Sequence, residues 1–193
     1  MSNSYDDHAA AFIAARSGIG GPEVERWARA HLRPGQRVLD LGCGHGFPVT
    51  WVLLRNDLDV FAIDNSPMLI AELQRRSPNV TAQCEDVFES NLFARSFDAV
   101  TMIGLVFLFG PKLQERLIRR AASVLRPGGR LLFTAPTQVH AWDDVLTGQP
   151  LQSLGYTRYK AIIEASGLRI AGSFRDTGGN HYYDTVDARR LAS

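Results

Sequence analysis

The chain has 193 residues, 45% of them apolar and 21% charged, which fits one domain whose core is large enough to stand without disulfides. With 21 Lys and Arg against 20 Asp and Glu the net charge is +1, too little to draw in nucleic acid or an anionic lipid surface. Two cysteines, Cys43 and Cys84, make no secreted-type framework, and the longest apolar run, residues 99–110, is about half a membrane span. The first residues, MSNSYDDHAAAFIAARSG, lack the apolar stretch of a signal peptide, so a cytoplasmic protein is expected.

Taken in chain order, residues 5–31 read as helical, with Phe12, Ile13, Val24 and Trp27 as candidate buried positions. Gly18, Gly20, Gly21 and Pro22 split that region in two. Short aliphatic runs then alternate with helical stretches, the pattern of a parallel sheet covered on both faces. Strands are expected at residues 37–41, 60–64, 80–83, 97–103 and 130–135, and helices at 48–54, 67–75 and 111–125. Pro67 suits a first helical turn, with Ser66 or Asn65 as its cap. Arg116, Arg119, Arg120, Arg126 and Arg130 read as a solvated helix face, and RPGGR as the turn into the next strand. A last helix is expected at residues 156–166. LRIAGSFRD and NHYYDTV, on either side of Gly178 and Gly179, then read as an antiparallel hairpin.

The turn after the first strand, Asp40-Leu41-Gly42-Cys43-Gly44-His45-Gly46, carries most of the functional information. It leaves the carboxyl edge of the sheet, where open α/β folds bind ligands, and its glycines permit close backbone approach. The spacing is G-x-G-x-G, and Phe47 stands where a dinucleotide fingerprint needs its third glycine. An acid beside the loop repels a pyrophosphate but suits a ligand carrying an ammonium or sulfonium, which favours S-adenosylmethionine over NAD. Asp64 ends the second strand where a carboxylate accepts from ribose hydroxyls. Asp86 follows the third, where it can accept from an adenine amine. Each acid alone could simply cap a turn; one after each of three strands lines an edge.

VLDLGCGHG, VFAIDNSPMLIAEL, CEDVF, FDAVTMIG and LRPGGRLLFTAP, spread over about residues 36–136, resemble the successive motifs of class I S-adenosylmethionine-dependent methyltransferases. The resemblance implies an α/β, Rossmann-like seven-stranded sheet in the order 3-2-1-4-5-7-6, with strand 7 antiparallel and helices on both faces. It implies one methyltransferase domain over residues 1–193, with 1–33 as a helical cap, 36–136 as the cofactor-binding core and 137–193 as a substrate-side helix and hairpin. Gly42, Cys43 and Gly44 would approach the methionyl part and ribose, and Asp40 and the Ile103 carbonyl the methionyl ammonium. Asp64 would hold the ribose, Asn65 and Met68 would flank adenine, and Asp86 with the Val87 amide would read its edge. Arg16 is the candidate for the methionyl carboxylate.

Methyl transfer from a sulfonium is an in-line displacement that asks mainly for positioning, so a dedicated base is optional. The Asn/Asp-Pro-Pro-Tyr signature of amino methylation is absent after the fourth strand, where Met102-Ile103-Gly104-Leu105 also lacks the acid of a catechol-type magnesium site. No His/Cys cluster has zinc spacing. The expectation is metal-independent methylation of a small molecule, by a monomer or homodimer with no nucleic-acid or membrane partner. Phe107, Trp142 and Leu146 are expected to form an apolar acceptor pocket. His181 and His140 are the general-base candidates, Tyr5 a lid residue, and the His45 side chain is expected to face solvent. Other readings are a non-catalytic S-adenosylmethionine-binding partner or sensor and an NAD-dependent oxidoreductase, which Phe47 disfavours.

Overall fold

The first strand, β1 (Arg37–Leu41), is the middle of the sheet, paired in parallel with β2 (Asp59–Asp64) on one side and β4 (Phe97–Met102) on the other. The computed structural model describes residues 4–188, with side chains from Asp6 onward. Beyond β2 lies β3 (Thr81–Cys84); beyond β4 come β5 (Leu125–Thr134), β9 (His181–Asp187) and β8 (Leu168–Arg175). The order is β3-β2-β1-β4-β5-β9-β8, and β9 is antiparallel to both neighbours. This is the topology expected from the sequence.

Strand residues alternate between two cores, as the two-residue period of a strand demands. Val38, Val60 and Ala62 face one side, with α3 (Gly21–His31), α4 (Val49–Arg55) and α5 (Pro67–Arg76). Leu39, Phe61 and Ile63 face the other, with α6 (Pro111–Ser123) and α7 (Tyr156–Ala165). Helix α6 packs by Leu117, Ile118, Ala121 and Ala122, one stripe at helical spacing. Helix α5 begins at Pro67, capped by Ser66, whose Oγ accepts from Leu69 N at 3.2 Å.

Three expectations need correction. The arginines are not a mere solvated face: Arg120 donates to the Val87 and Ser90 carbonyls at 3.0 and 2.6 Å. Arg126 binds Asp98 at 2.8 Å and Arg130 binds buried Asp184 at 2.6 Å, because the sheet ends leave carbonyls and acids within their reach. RPGGR does not precede β5 but lies inside it. Leu125 pairs with Phe97 and Arg130 with Ala99, and an irregularity absorbs the residues between. Finally, residues 137–155 carry an unanticipated hairpin, β6 (Val139–Asp143) with β7 (Pro150–Leu154), outside the main sheet. Phe12 and Ile13 are half-buried, while Val24 and Trp27 are buried as expected. They belong to the N-terminal helices α1 (Ser4–Asp7), α2 (Ala9–Ala15) and α3.

Candidate functional site

The loop after β1 holds its shape through two amides and three left-handed glycines. Gly42 N and Cys43 N both donate to Ile63 O, at 2.8 and 3.1 Å. Gly42 has φ +69°, and a Cβ there would sit 2.7 Å from Leu105 Cδ1; at Gly46 (φ +87°) it would sit 2.4 Å from Leu73 Cδ1. A side chain at either position meets both a steric wall and an unfavourable backbone.

Asp64 is fixed against this loop. Its Oδ2 accepts from Gly44 N and its Oδ1 from Ser66 N, both at 2.9 Å. Burial raises its pKa, and the amides of Ser66, Gly44 and Asn65 oppose that rise. Each oxygen keeps a further lone pair. Asp86 accepts from Phe88 N at 2.7 Å, which pins the turn after β3. Burial, then Asp40 and Asp64, push the Cys43 thiol well up, so it is a neutral wall and not a nucleophile.

These residues line a cavity of about 520 Å³ at the carboxyl edge of β1, β2 and β4. One part is walled by Gly42, Cys43, Gly44, Asp64, Asn65, Asp86, Val87 and Ile103, with Phe12 and Arg16 of the N-terminal segment over it. Arg16 Nε reaches Phe47 O at 3.4 Å and its guanidinium lies 5.6 Å from the Phe12 ring centre. The other part is walled by Leu105, Leu108, Phe109 and Gly110 and by Thr147 and residues 149–152 of the β6–β7 hairpin. Among the described residues lining that second part none is ionisable.

Buried Gln114 clamps its walls together. Its Nε2 donates to Phe109 O at 2.7 Å and Gln152 O at 2.9 Å, while its Oε1 accepts from Tyr159 OH at 2.7 Å. The sequence reading missed Leu108, Phe109, Gln114 and the hairpin residues. The one available signal was the Asp144-to-Gly148 turn, in which Asp144 accepts from Leu146 N and Thr147 Oγ1.

Several sequence candidates lie elsewhere. Asp40 does not line the cavity: it is buried beneath the loop, its carboxylate accepting from Thr50 Oγ1 at 2.6 Å and Thr101 Oγ1 at 2.8 Å. Met68 is 53% exposed and outside the cavity wall. His45 does not face solvent: it is 2% exposed, edge-on to Phe12, because the loop folds back under α2. Phe107, Trp142 and His181 come together, but around a separate cavity of about 250 Å³. His140 stacks on Trp142 at 5.6 Å, and Leu146 lines neither cavity. The Tyr5 side chain lies outside the described residues.

Residues 38–129, from β1 to the start of β5, match the model of a family described as "Methyltransferase domain". A curated relative, the ubiquinone biosynthesis O-methyltransferase of Coxiella burnetii, is 31% identical over 104 residues, 52% of this chain and 43% of that protein. The matched stretch is thus less than half of that relative's length. Among solved structures, the CcbJ methyltransferase from Streptomyces caelestis superposes with a TM-score of 0.79 at 17% identity, covering 96% of this chain and 98% of that one. S-adenosylmethionine-bound CalS10, an amino pentose methyltransferase from Micromonospora echinaspora, gives 0.72 at 18% identity, covering 94% and 96%. At such identities the structural likeness is one of fold. The family match spans the glycine loop, Asp64 and Asp86, and the fold is that of the solved methyltransferases, so residues 38–129 form a methyltransferase domain within a Rossmann-like methyltransferase fold.

Proposed function

We propose that this chain moves a methyl group from S-adenosylmethionine to a neutral small molecule, without a metal. The observation that carries the proposal is the division of one cavity into two chemistries. Asp64, Asp86 and the glycine backbone wall one part, while apolar and amide side chains wall the other. The first part fits the cofactor: the Gly42 position admits no side chain, and Asp64 is oriented by two amides with lone pairs to spare. Bound there, S-adenosylmethionine supplies a methyl group made electrophilic by the sulfonium.

In this reading Asp64 accepts the ribose hydroxyls, Asp86 and the Val87 amide meet the adenine edge, and Asn65 lies beside the base. Arg16 faces the methionyl carboxylate, and Gly42, Cys43 and Gly44 follow the methionyl chain with the Ile103 carbonyl near its ammonium. Asp40 acts on that ammonium through its field alone. Leu105, Leu108, Phe109 and Leu151 exclude water from the acceptor, and the Thr147, Gln149 and Gln152 side chains orient its nucleophile. Because no ionisable group lines that part, the chain contributes position and desolvation: the methyl leaves sulfur for the nucleophile, and the methylated, still protonated product gives its proton to water as it leaves the cavity.

Calorimetric titration with S-adenosylmethionine, S-adenosylhomocysteine and NAD tests the cofactor. The two adenosyl ligands should saturate one site and NAD should not. Asp64→Ala should weaken adenosyl binding by roughly 10–100-fold, the worth of a charge-assisted pair of hydrogen bonds. Tight NAD binding without adenosyl binding would overturn the assignment. Adenosyl binding without turnover on any of a panel of hydroxyl and amine acceptors would favour a non-catalytic binding protein.

A further inference from the structure

The smaller cavity, about 250 Å³, lies beside the large one but shares no lining residue with it. Between them runs a hydrogen bond from Gly104 N, on the large side, to Thr134 Oγ1, on the small side, at 2.8 Å. Its floor is the end of β5 and residues 135–138, and its far side is the β8–β9 turn. Phe107 and Trp142 wall it with ring centres 5.5 Å apart, and His140 stacks parallel on Trp142, bracing that indole.

Of the polar side chains in its wall, His181 and Arg175 bear most on what it takes. His181 lines the cavity, and its Nε2 is buried with no hydrogen-bond partner, a situation proteins seldom leave uncompensated. Burial and nearby Arg175 lower the His181 pKa, so the ring is neutral at pH 7. Arg175 stands exposed in the wall, with a hydrogen bond to Gly179 O of 3.4 Å. Asn180, by contrast, is committed: its Nδ2 and N both donate to Asp176, which also takes Gly178 N and Tyr182 OH. That turn is therefore a fixed frame.

We infer that this cavity is a second small-molecule site, which takes a planar aromatic carboxylate of one or two fused rings. The rings lie against Phe107 and Trp142, the carboxylate meets the planar fork of Arg175, and the His181 ring lines the remaining edge. The volume falls just below the range of drug-sized pockets, which sets the ring count. The short helical turn Val106–Leu108 lines this cavity with Phe107 and the large one with Leu108, so the two sites share one wall element.

The test titrates the full chain, with and without saturating S-adenosylhomocysteine, with 2-naphthoate and with neutral 2-naphthalenemethanol, following tryptophan fluorescence and the His181 imidazole NMR signal. Naphthoate should bind in both conditions, at least tenfold tighter than the alcohol, and shift the His181 signal. Arg175→Gln should abolish the preference for the acid, and Trp142→Ala should weaken both ligands, with S-adenosylhomocysteine affinity reporting separately that each variant is folded. Equal affinity for acid and alcohol, competition with S-adenosylhomocysteine, indifference to Arg175→Gln, or no binding at all would each overturn the inference. Naphthoate binding by a chain that takes no adenosyl ligand would sink the cofactor assignment and leave this one standing.

Discussion

Asp40 shows how one residue can be legible in kind and misread in role. An acid two residues before a glycine loop suggests contact with a cationic ligand. The structure instead turns it inward onto two hydroxyls, from Thr50 and from Thr101 in another strand, a partner no local pattern announces. Burial pushes its pKa up to about 6 from 3.8, while Thr50 and Thr101 pull the other way. Between about pH 4 and 6 the folded chain therefore holds a proton that the unfolded chain has already released. That stabilisation is complete below pH 4 and lost as the pH rises through 6, on the order of 3 kcal/mol in all. Thermal melts of the wild type and Asp40→Asn across pH 4–8 should diverge over that window, the wild type losing ground as pH rises; parallel curves would show that Asp40 is ionised when folded. Gly42 excludes a side chain for a reason the sequence does not show, the Leu105 side chain packed against it. Gly42→Ala should cost about 1–2 kcal/mol through its backbone alone, and more as Leu105 is displaced into the cavity. Urea denaturation would measure the first effect and adenosyl-ligand affinity the second.

At the scale of elements, the sequence marked whatever burial dictates. Strand β1 falls on the expected residues because four of its five side chains are buried. The β6–β7 hairpin escaped because it is not organised by burial: Val139 is 80% exposed, and the hairpin's shape comes from the turn at Asp144. With it escaped the acceptor wall, since the hairpin supplies residues from 149–152 that Gln114 ties to Phe109. Gln114→Leu removes three hydrogen bonds and leaves buried Tyr159 OH without its acceptor, a cost of about 2–4 kcal/mol. We expect the acceptor KM to rise about tenfold or more in steady-state assays while adenosyl affinity changes little. The N-terminal segment is a second element that the sequence pattern left unplaced over the site. Asp6 accepts from Ser66 Oγ at 2.5 Å and Met68 N at 3.1 Å, fastening α1 to the start of α5. Asp6→Ala should speed adenosyl-ligand release by about two- to tenfold in stopped-flow displacement, the range expected for losing exposed hydrogen bonds.

Across the whole molecule, Asp184 ties the N-terminal helix α3 to the strands of the sheet. This buried carboxylate takes Trp27 Nε1 at 3.0 Å from α3 and Arg130 at 2.6 Å from β5, with His31 Nε2 3.7 Å away. Asp184→Ala strands a mostly buried guanidinium and an indole N–H together, and should cost about 3–5 kcal/mol in urea denaturation. A loss below about 1 kcal/mol would mean that water replaces the carboxylate there. Strand order was legible because the family motifs fix it; the tie of α3 to β9 was not, because Trp27 and Asp184 are 157 positions apart. The place of β9 reaches past the finished protein. Among the described residues it comes last of the strands, yet it lies between β5 and β8, and β8 has no other partner in the sheet. While the ribosome still holds residues 181–187, then, the growing chain displays the bare edge of β5 and an unpaired β8. This is the kind of surface that chaperones shield and that newly made chains stick by.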